Sequence, residues 1–409
     1  MVAAKGPKVQ ELLHIVKRYV GTKATVRFVK DEVQQQRTRY PFQSGQNVNK
    51  MLEQSDVFAH LVKICRANLK THEFEEVMLD MAKIFESYQD SERAEQAYSQ
   101  IVNQEDRAST DAYLAEAFFK RGRLYSEMGQ WDRSMADLEK SKVLFARVHE
   151  EIAIANIDNI IGTNFAQQGQ FKEAEGYFSQ SLTRIKRTND KSILGAVLMN
   201  MGVAQNILGN WDEALHYYNR ALPCFHSCGD MVKISEMHNN KGLCYHAMGN
   251  YSGAIREFDE SLAVARKLEN QELKEISMLG KAYAYYALRE YPFASSLCKQ
   301  IDALVTQLED SRHMGELYKL KGMIARETGE YEAASNCFRV SIDLHTRQDH
   351  PYRLGESCYE FGLLEKRRGN LQDADRLFKQ AWKLFAKAGA KEDIEKTKKA
   401  LGKIGERTI

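Results

Sequence analysis

The chain has 409 residues, 43% of them hydrophobic and 28% charged, which is enough apolar material for a sizeable core. Lys plus Arg (58) nearly balances Asp plus Glu (56), so a net charge of +2 gives no ground for a general polyanion binder. Only 5 prolines and 25 glycines argue for long helices rather than a loop-rich sandwich, and no segment approaches the roughly 18 apolar residues of a membrane span or the core of a signal peptide. The expectation is a cytoplasmic, mostly helical protein with no membrane insertion.

Residues 1–72 form a basic, mostly helical N-terminal segment. Its first fifty residues hold ten basic side chains against three acidic ones. A helix is expected over Pro7–Val20 and another over Val48–Leu69. Lys23–Gln36 is ambiguous, and a break falls at Tyr40–Gly45. ATVRFV has the composition of a strand but nothing beside it to pair with. Such an arm suits nucleic acid or an acidic partner, yet solvated helix faces account for it equally. No helix-turn-helix, finger or RNA-binding motif accompanies it.

From residue 73 the chain repeats. Seven times a small residue is followed by a break residue seven later, an aromatic or Leu two after that, and a small residue three further on. The copies begin at Gly122, Gly162, Gly202, Gly242, Ala282, Gly322 and Gly362, a period of forty without an insertion. The fifth is degenerate, with Ala282, Arg289, Tyr291 and Ala294. Ala82 and Ala94 mark a weaker copy upstream, and Gly402 begins a last one that ends after one helix.

Each unit reads as two helices. In the third, Ile193, Leu194, Val197, Leu198 and Met201 lie at helical spacing, Gly209-Asn210 interrupts, and Trp211 resumes a helix with Ala214, Leu215, Tyr218, Ala221 and Leu222 on one face. Asp190, Asp230 and Asp310 sit at the phase of an N-cap. The small leading residue admits close helix approach. Trp131, Phe171, Trp211, Tyr251, Tyr291 and Tyr331 are expected in the core.

Small residue, Gly, aromatic, Ala and a further aromatic (Gly202, Gly209, Trp211, Ala214, Tyr218, with Phe178, Phe258, Phe338 and Phe378 repeating the last) resemble the tetratricopeptide repeat. The forty-residue period, with Asn200 and Asn240 shortly before the glycine and a Gly229-Asp230 junction, looks like the Pins and LGN group of polarity scaffolds and like bacterial regulatory arrays. The resemblance covers residues 73–409. It implies an all-α fold, a right-handed α-α solenoid or superhelix of about eight helix pairs with a C-terminal capping helix over 393–404. The lysines of that last helix suit a solvating cap.

Motifs for catalysis are missing. There is no Walker loop, dinucleotide glycine fingerprint, His-Glu-x-x-His or nucleophile elbow, and no enzyme activity or cofactor is expected. Cys224, His226, Cys228, His238 and Cys244 cluster without the two close ligand pairs of a zinc site, so Cys224 and Cys244 read as buried packing residues. Asn250-Tyr251-Ser252 is a chance glycosylation sequon.

The resemblance places the first helix of each pair on the concave side. The positions three before, two before, one after and four after each small residue would then line a groove. Asn159, Asn200, Asn239 and Asn240 are read there as amides that clamp an extended backbone, since Asn is a poor mid-helix residue and recurs on this face. Tyr283 and Tyr286 are read as an apolar anchor, and Lys319, Arg326 and Arg367 as a clamp for an acidic group. The alternative is that the amides bond between neighbouring helices and the charges are solvated. The function expected is a non-catalytic scaffold or adaptor that binds another protein or a peptide segment. Two other readings are a sensor that binds a small peptide or effector and controls an enzyme or transcription factor, and a nucleic-acid-associated protein acting through the basic arm.

Overall fold

A computed structural model describes residues 9–21, 57–103, 110–188, 190–305 and 313–405. These residues contain nineteen α-helices and no strand. Helices α1 (Val9–Val20) and α2 (Val57–Asn68) precede eight pairs. The pairs are α3 (Thr71–Ser87) with α4 (Ser91–Val102), α5 (Asp111–Glu127) with α6 (Trp131–Arg147), α7 (Glu151–Gln167) with α8 (Phe171–Thr188), and α9 (Lys191–Ile207) with α10 (Trp211–Cys228). They continue as α11 (Met231–Ala247) with α12 (Tyr251–Lys267), α13 (Gln271–Ala287) with α14 (Tyr291–Val305), α15 (Met314–Thr328) with α16 (Tyr331–Arg347), and α17 (Pro351–Arg368) with α18 (Leu371–Ala388). Helix α19 (Lys391–Gly405) closes the series. The fold is the all-α, helix-pair solenoid implied by the tetratricopeptide resemblance. It falls into two compact units, Met1–Asn200 and Met201–Ile409.

In the first unit, α1 buries Leu12, Ile15 and Val16 in the same core as Phe58, Leu61, Phe74, Phe85 and Tyr98. Polar contacts fix its register: Arg18 Nη2 lies 2.8 Å from Asp80 Oδ2, and Tyr88 Oη donates to Glu11 Oε1 at 2.8 Å. The ambiguous stretch Lys23–Gln36, the ATVRFV segment, the break at Tyr40–Gly45 and residues 48–56 of the second expected helix lie outside the described residues.

The spacing of the helix pair follows from one missing carbon. Gly162, Gly202, Gly242, Gly322 and Gly362 each face a ring sixteen residues further on: Phe178, Tyr218, Phe258, Phe338 and Phe378, all at most 1% exposed. A Cβ on any of these glycines would stand 2.5–2.8 Å from that ring. Close approach therefore requires glycine in spite of its helix cost of about 1 kcal/mol. The degenerate unit conserves the volume differently. Ala282 replaces the glycine and the small, buried Cys298 replaces the ring, while Gly280 admits Phe258 from the preceding pair.

Buried serines add a second periodic tie. Ser141, Ser181, Ser261 and Ser341 each donate across the pair to a first-helix carbonyl twenty-six residues earlier (Ala115, Ala155, Ser235 and Gly315) at 2.6–2.8 Å. No sequence argument anticipated them.

The junctions behave as punctuation. Gly209 has φ 79 and ends its helix in the left-handed region; Arg289, at the same phase, is held at φ 63. Asp230 and Asp190 accept from the backbone N–H of Lys233 and Ile193 at 3.0 Å, as caps do. Asp310 lies outside the described residues. Asn250, the sequon residue, also caps its helix by accepting from Gly253 N at 2.9 Å.

One expectation is corrected. Trp131, Phe171, Tyr251, Tyr291 and Tyr331 are only half-buried, and Trp211 is 36% exposed. They occupy the first position of each second helix, and a helical side chain leans back toward its own N-terminus. The ring therefore covers the turn before the helix, and Trp131 Cζ2 lies 3.6 Å from where a Cβ on Gly129 would stand. In the units that have a core ring, it is the one seven residues later (Phe178, Tyr218, Phe258 and Phe338).

Candidate partner-binding face of the first helices

In the first unit the amides of successive first helices meet. Asn200 Nδ2 donates to Asn159 Oδ1 at 3.0 Å and to Thr163 Oγ1 at 3.1 Å. Asn159 is 6% exposed, so its carbonyl oxygen is spent on this bond, whereas Asn200 keeps its own oxygen. Asn164, a position the sequence reading passed over, turns inward and donates to Ser134 Oγ at 2.9 Å.

In the second unit, Asn239 and Asn240 are half-buried on α11. Asn239 Oδ1 is shut away from solvent with no hydrogen-bond partner, and His246 Nε2 on the same helix is in the same state. Burial holds the imidazole of His246 below its usual pKa, so it is neutral at pH 7. Between them Leu243 is 44% exposed. The face therefore offers amides around an uncovered aliphatic side chain. Cys244 on this helix is buried, which pushes its thiol up to about 11, and Cys228 is exposed. Among the described residues no group of three or more His, Cys, Asp or Glu is arranged to hold a metal ion.

The tyrosines and cations further along the second unit form two networks. Tyr283 Oη donates to Glu316 Oε2 at 3.0 Å. Lys319 Nζ lies 2.8 Å from both Glu316 Oε2 and Glu356 Oε2 and is 5% exposed. His345 Nε2, from α16, approaches Glu316 Oε1 to 3.4 Å. Burial alone would discharge Lys319, but Tyr283, Glu356 and Glu316 outweigh it and hold its pKa well above the ordinary value. Burial likewise works to raise Glu316, and Lys319 and His345 hold it far below the usual carboxylate range.

The second network is built alike. Arg326 Nη1 donates to Glu360 Oε2 at 2.7 Å, its Nε to Glu327 Oε1 at 3.0 Å and its Nη2 to Tyr286 Oη at 3.3 Å. Arg367 Nη1 reaches Glu327 Oε2 at 3.0 Å. Lys319, Arg326 and Arg367 are thus all ion-paired within the chain. Tyr283 and Tyr286 present hydroxyls to these networks, not bare rings. The signal that finds the partners is the repeat itself: Glu356, Glu360 and Glu327 lie thirty-seven, thirty-four and forty residues from their cations, about one period.

Models of the tetratricopeptide repeat match residues 116–143, 153–225 and 235–268. A comparison with curated protein sequences gives no match. Among solved structures, a signal-transduction ATPase with numerous domains and a tetratricopeptide-repeat sensor, from Pyrococcus horikoshii, is 15% identical with TM-score 0.61, over 96% of this chain and 65% of that one. The apo form of the quorum sensor NprR from B. thuringiensis is 13% identical with TM-score 0.62, over 92% of this chain and 98% of that one. A Rap protein complexed with competence and sporulation factor is 14% identical with TM-score 0.54, over 83% and 99%. At these identities the likeness is one of fold. This chain spans about two thirds of the Pyrococcus protein. No described helix is long and apolar enough to cross a membrane.

Proposed function

We propose, from the premise that the chain is a tetratricopeptide-repeat protein, that it is a non-catalytic interaction module whose first helices receive a segment of another protein. The observation that carries this reading is Leu243. It is 44% exposed on a helix whose opposite side is core, and it is flanked by the half-buried Asn239 and Asn240. An aliphatic side chain ringed by amides suits an extended segment, which brings its own N–H and C=O groups and alternating side chains. Asn159 and Asn200 bond to one another on the corresponding face of the first unit, so Asn200 contributes its remaining oxygen there.

A photo-crosslinking residue placed at 243 in the full chain, expressed in its own cells, tests this. A discrete adduct with one protein is expected. Adducts formed only from position 340, an exposed valine on a second helix, would place binding on the other side of the pairs.

A regulatory sensor for a small peptide is the second reading. It is supported by the likeness to the quorum sensor NprR and to a Rap protein solved with competence and sporulation factor. A sensor releases a small ligand when the purified chain is denatured; a scaffold co-purifies with a protein.

A further inference from the structure

The cations expected to hold an acidic group are neutralised by Glu316, Glu356, Glu360 and Glu327, so an anion site requires cations without carboxylate partners. Three such cations lie on the last helix. Lys391, Lys396 and Lys399 are exposed, and no ion pair is recorded for them among the described residues. Of the carboxylates beside them, Glu395 is engaged by Lys398 at 2.7 Å. The three lysines, with Lys366, Glu392 and Glu395, border a cleft of about 640 Å³ between α17 and α19, which is net basic and has Tyr359, Leu363 and Ala400 as its apolar lining. Lys396 Nζ stands 4.6 Å from the centroid of the Tyr359 ring, which holds one ammonium over the apolar wall. Tyr359 and Leu363 stand three before and one after Gly362, so the cleft is the end of the same first-helix face.

We propose that this cleft binds a short acidic segment of a partner protein, with an aliphatic side chain against Tyr359, Leu363 and Ala400 and carboxylates facing Lys391, Lys396 and Lys399. The proposal deepens the first-helix reading, on which it rests. The cleft is of a size that encloses a few side chains. A bare phosphate would meet the lysines but leave the apolar lining uncovered. An acidic, aliphatic segment matches both the charge and the lining.

The probe is a fluorescein-labelled octapeptide of alternating Glu and Leu, titrated against the full chain by anisotropy, with a Ser/Leu peptide as control and tripolyphosphate as competitor. The Glu/Leu peptide is expected to bind at least tenfold more tightly than the Ser/Leu peptide. Raising salt from about 50 to about 300 mM should weaken it several-fold, because the contacts are exposed to counterions. The Lys396→Glu, Lys399→Glu double variant should weaken it at least tenfold with unchanged helix content. Lys391→Glu, which adds an acid at a helix N-terminus and so favours folding, should weaken it several-fold. Equal binding of the two peptides, indifference to these variants, or displacement by tripolyphosphate as effective as that by unlabelled peptide would overturn the proposal. If the acidic peptide fails to bind while the adduct at 243 still forms, the cleft reading falls and the first-helix reading stands. If the adduct is absent but acidic binding is lost in the double variant, the cleft survives alone.

Discussion

Gly202 lies so close to Tyr218 that a Cβ on it would stand 2.5 Å from Cε1 of the ring. Helix propensity says that Gly202→Ala should stabilise the chain by about 1 kcal/mol, but overpacking a filled core costs about 1–3 kcal/mol. The ring is fully buried between helices and has no room to yield. The net expectation is a loss of up to about 2 kcal/mol. Gly176→Ala is the control, because its added Cβ would meet nothing within 4 Å; it should gain about 0.5–1 kcal/mol. Urea midpoints followed by circular dichroism give both signs. A stabilised Gly202→Ala chain would mean that the ring does not sit where the structure places it.

The two aromatics of each unit should differ in the same assay. Tyr218 is 0% exposed and Trp211 is 36% exposed. Tyr218→Ala is expected to cost about 3–5 kcal/mol, as truncation of a buried ring does. Trp211→Ala removes a ring that covers a turn and should cost about 1 kcal/mol, nearer the range of surface changes. Similar losses for the two would restore Trp211 to the core.

Which aromatic is buried was the part of the fold that periodicity left open. The forty-residue spacing of glycines locates the pairs, and Gly209 and Asp230 mark where helices end and begin, because each answers to a local backbone requirement. Aromatic residues recur at the phases of both Trp211 and Tyr218 in most units, so recurrence alone does not rank them. The ranking comes from side-chain direction on the second helix, which leans residue 211 over the turn and residue 218 onto Gly202.

Arg289 occupies, at φ 63, the position that Gly209 fills at φ 79. A branched-off Cβ in the left-handed region costs about 1–2 kcal/mol, partly offset because glycine has the freer unfolded chain. Arg289→Gly should therefore stabilise the second unit by roughly 0.5–1 kcal/mol. Hydrogen exchange at the α13–α14 junction reads this locally; slower exchange is expected, and faster exchange would show that the Arg289 side chain contributes more than its backbone strain removes.

The asparagines separate into two kinds. Asn200 bonds to Asn159 and Thr163, so Asn200→Ala should cost about 1 kcal/mol of stability and leave the Asn159 oxygen wanting a donor. Asn240 is half-buried; Asn240→Ala should leave the urea midpoint unchanged and weaken partner capture several-fold, as loss of one intermolecular bond does. Measuring midpoint and capture on each single variant distinguishes the roles. Unchanged capture by the Asn240 variant would remove that amide from the binding face.

Charge at the far end of the face was legible in the sequence, but its pairing was not. Lys319 and Glu356 are thirty-seven residues apart. A scan of neighbours at i+3 and i+4 finds Glu316 but not Glu356 or Tyr283, which arrive from the adjoining pairs. A fixed period makes residue i and a residue near i+40 neighbours on stacked first helices, and Arg367 with Glu327 obeys the same rule. Charge read one helix at a time looks like a free clamp; read across stacked helices, it is a closed network.

Lys319→Met tests that closure. Removing one member of a buried ion pair costs about 3–5 kcal/mol, because the remaining charges lose their compensation. Glu356 is 32% exposed and can keep part of its hydration, which lowers the expectation to about 2–3 kcal/mol at pH 7. The pH dependence gives the sign. In the native chain Glu316 is held below the usual carboxylate pKa, so its contribution is present at neutral pH and is lost as pH falls through and below the ordinary carboxylate range. Without Lys319, burial dominates and raises the Glu316 pKa, so protonation relieves the variant as pH falls. The stability gap between native and Lys319→Met chains should therefore narrow from pH 7 to about pH 4. A gap that stays constant over that range would assign the loss to packing of the lysine stem instead of its charge.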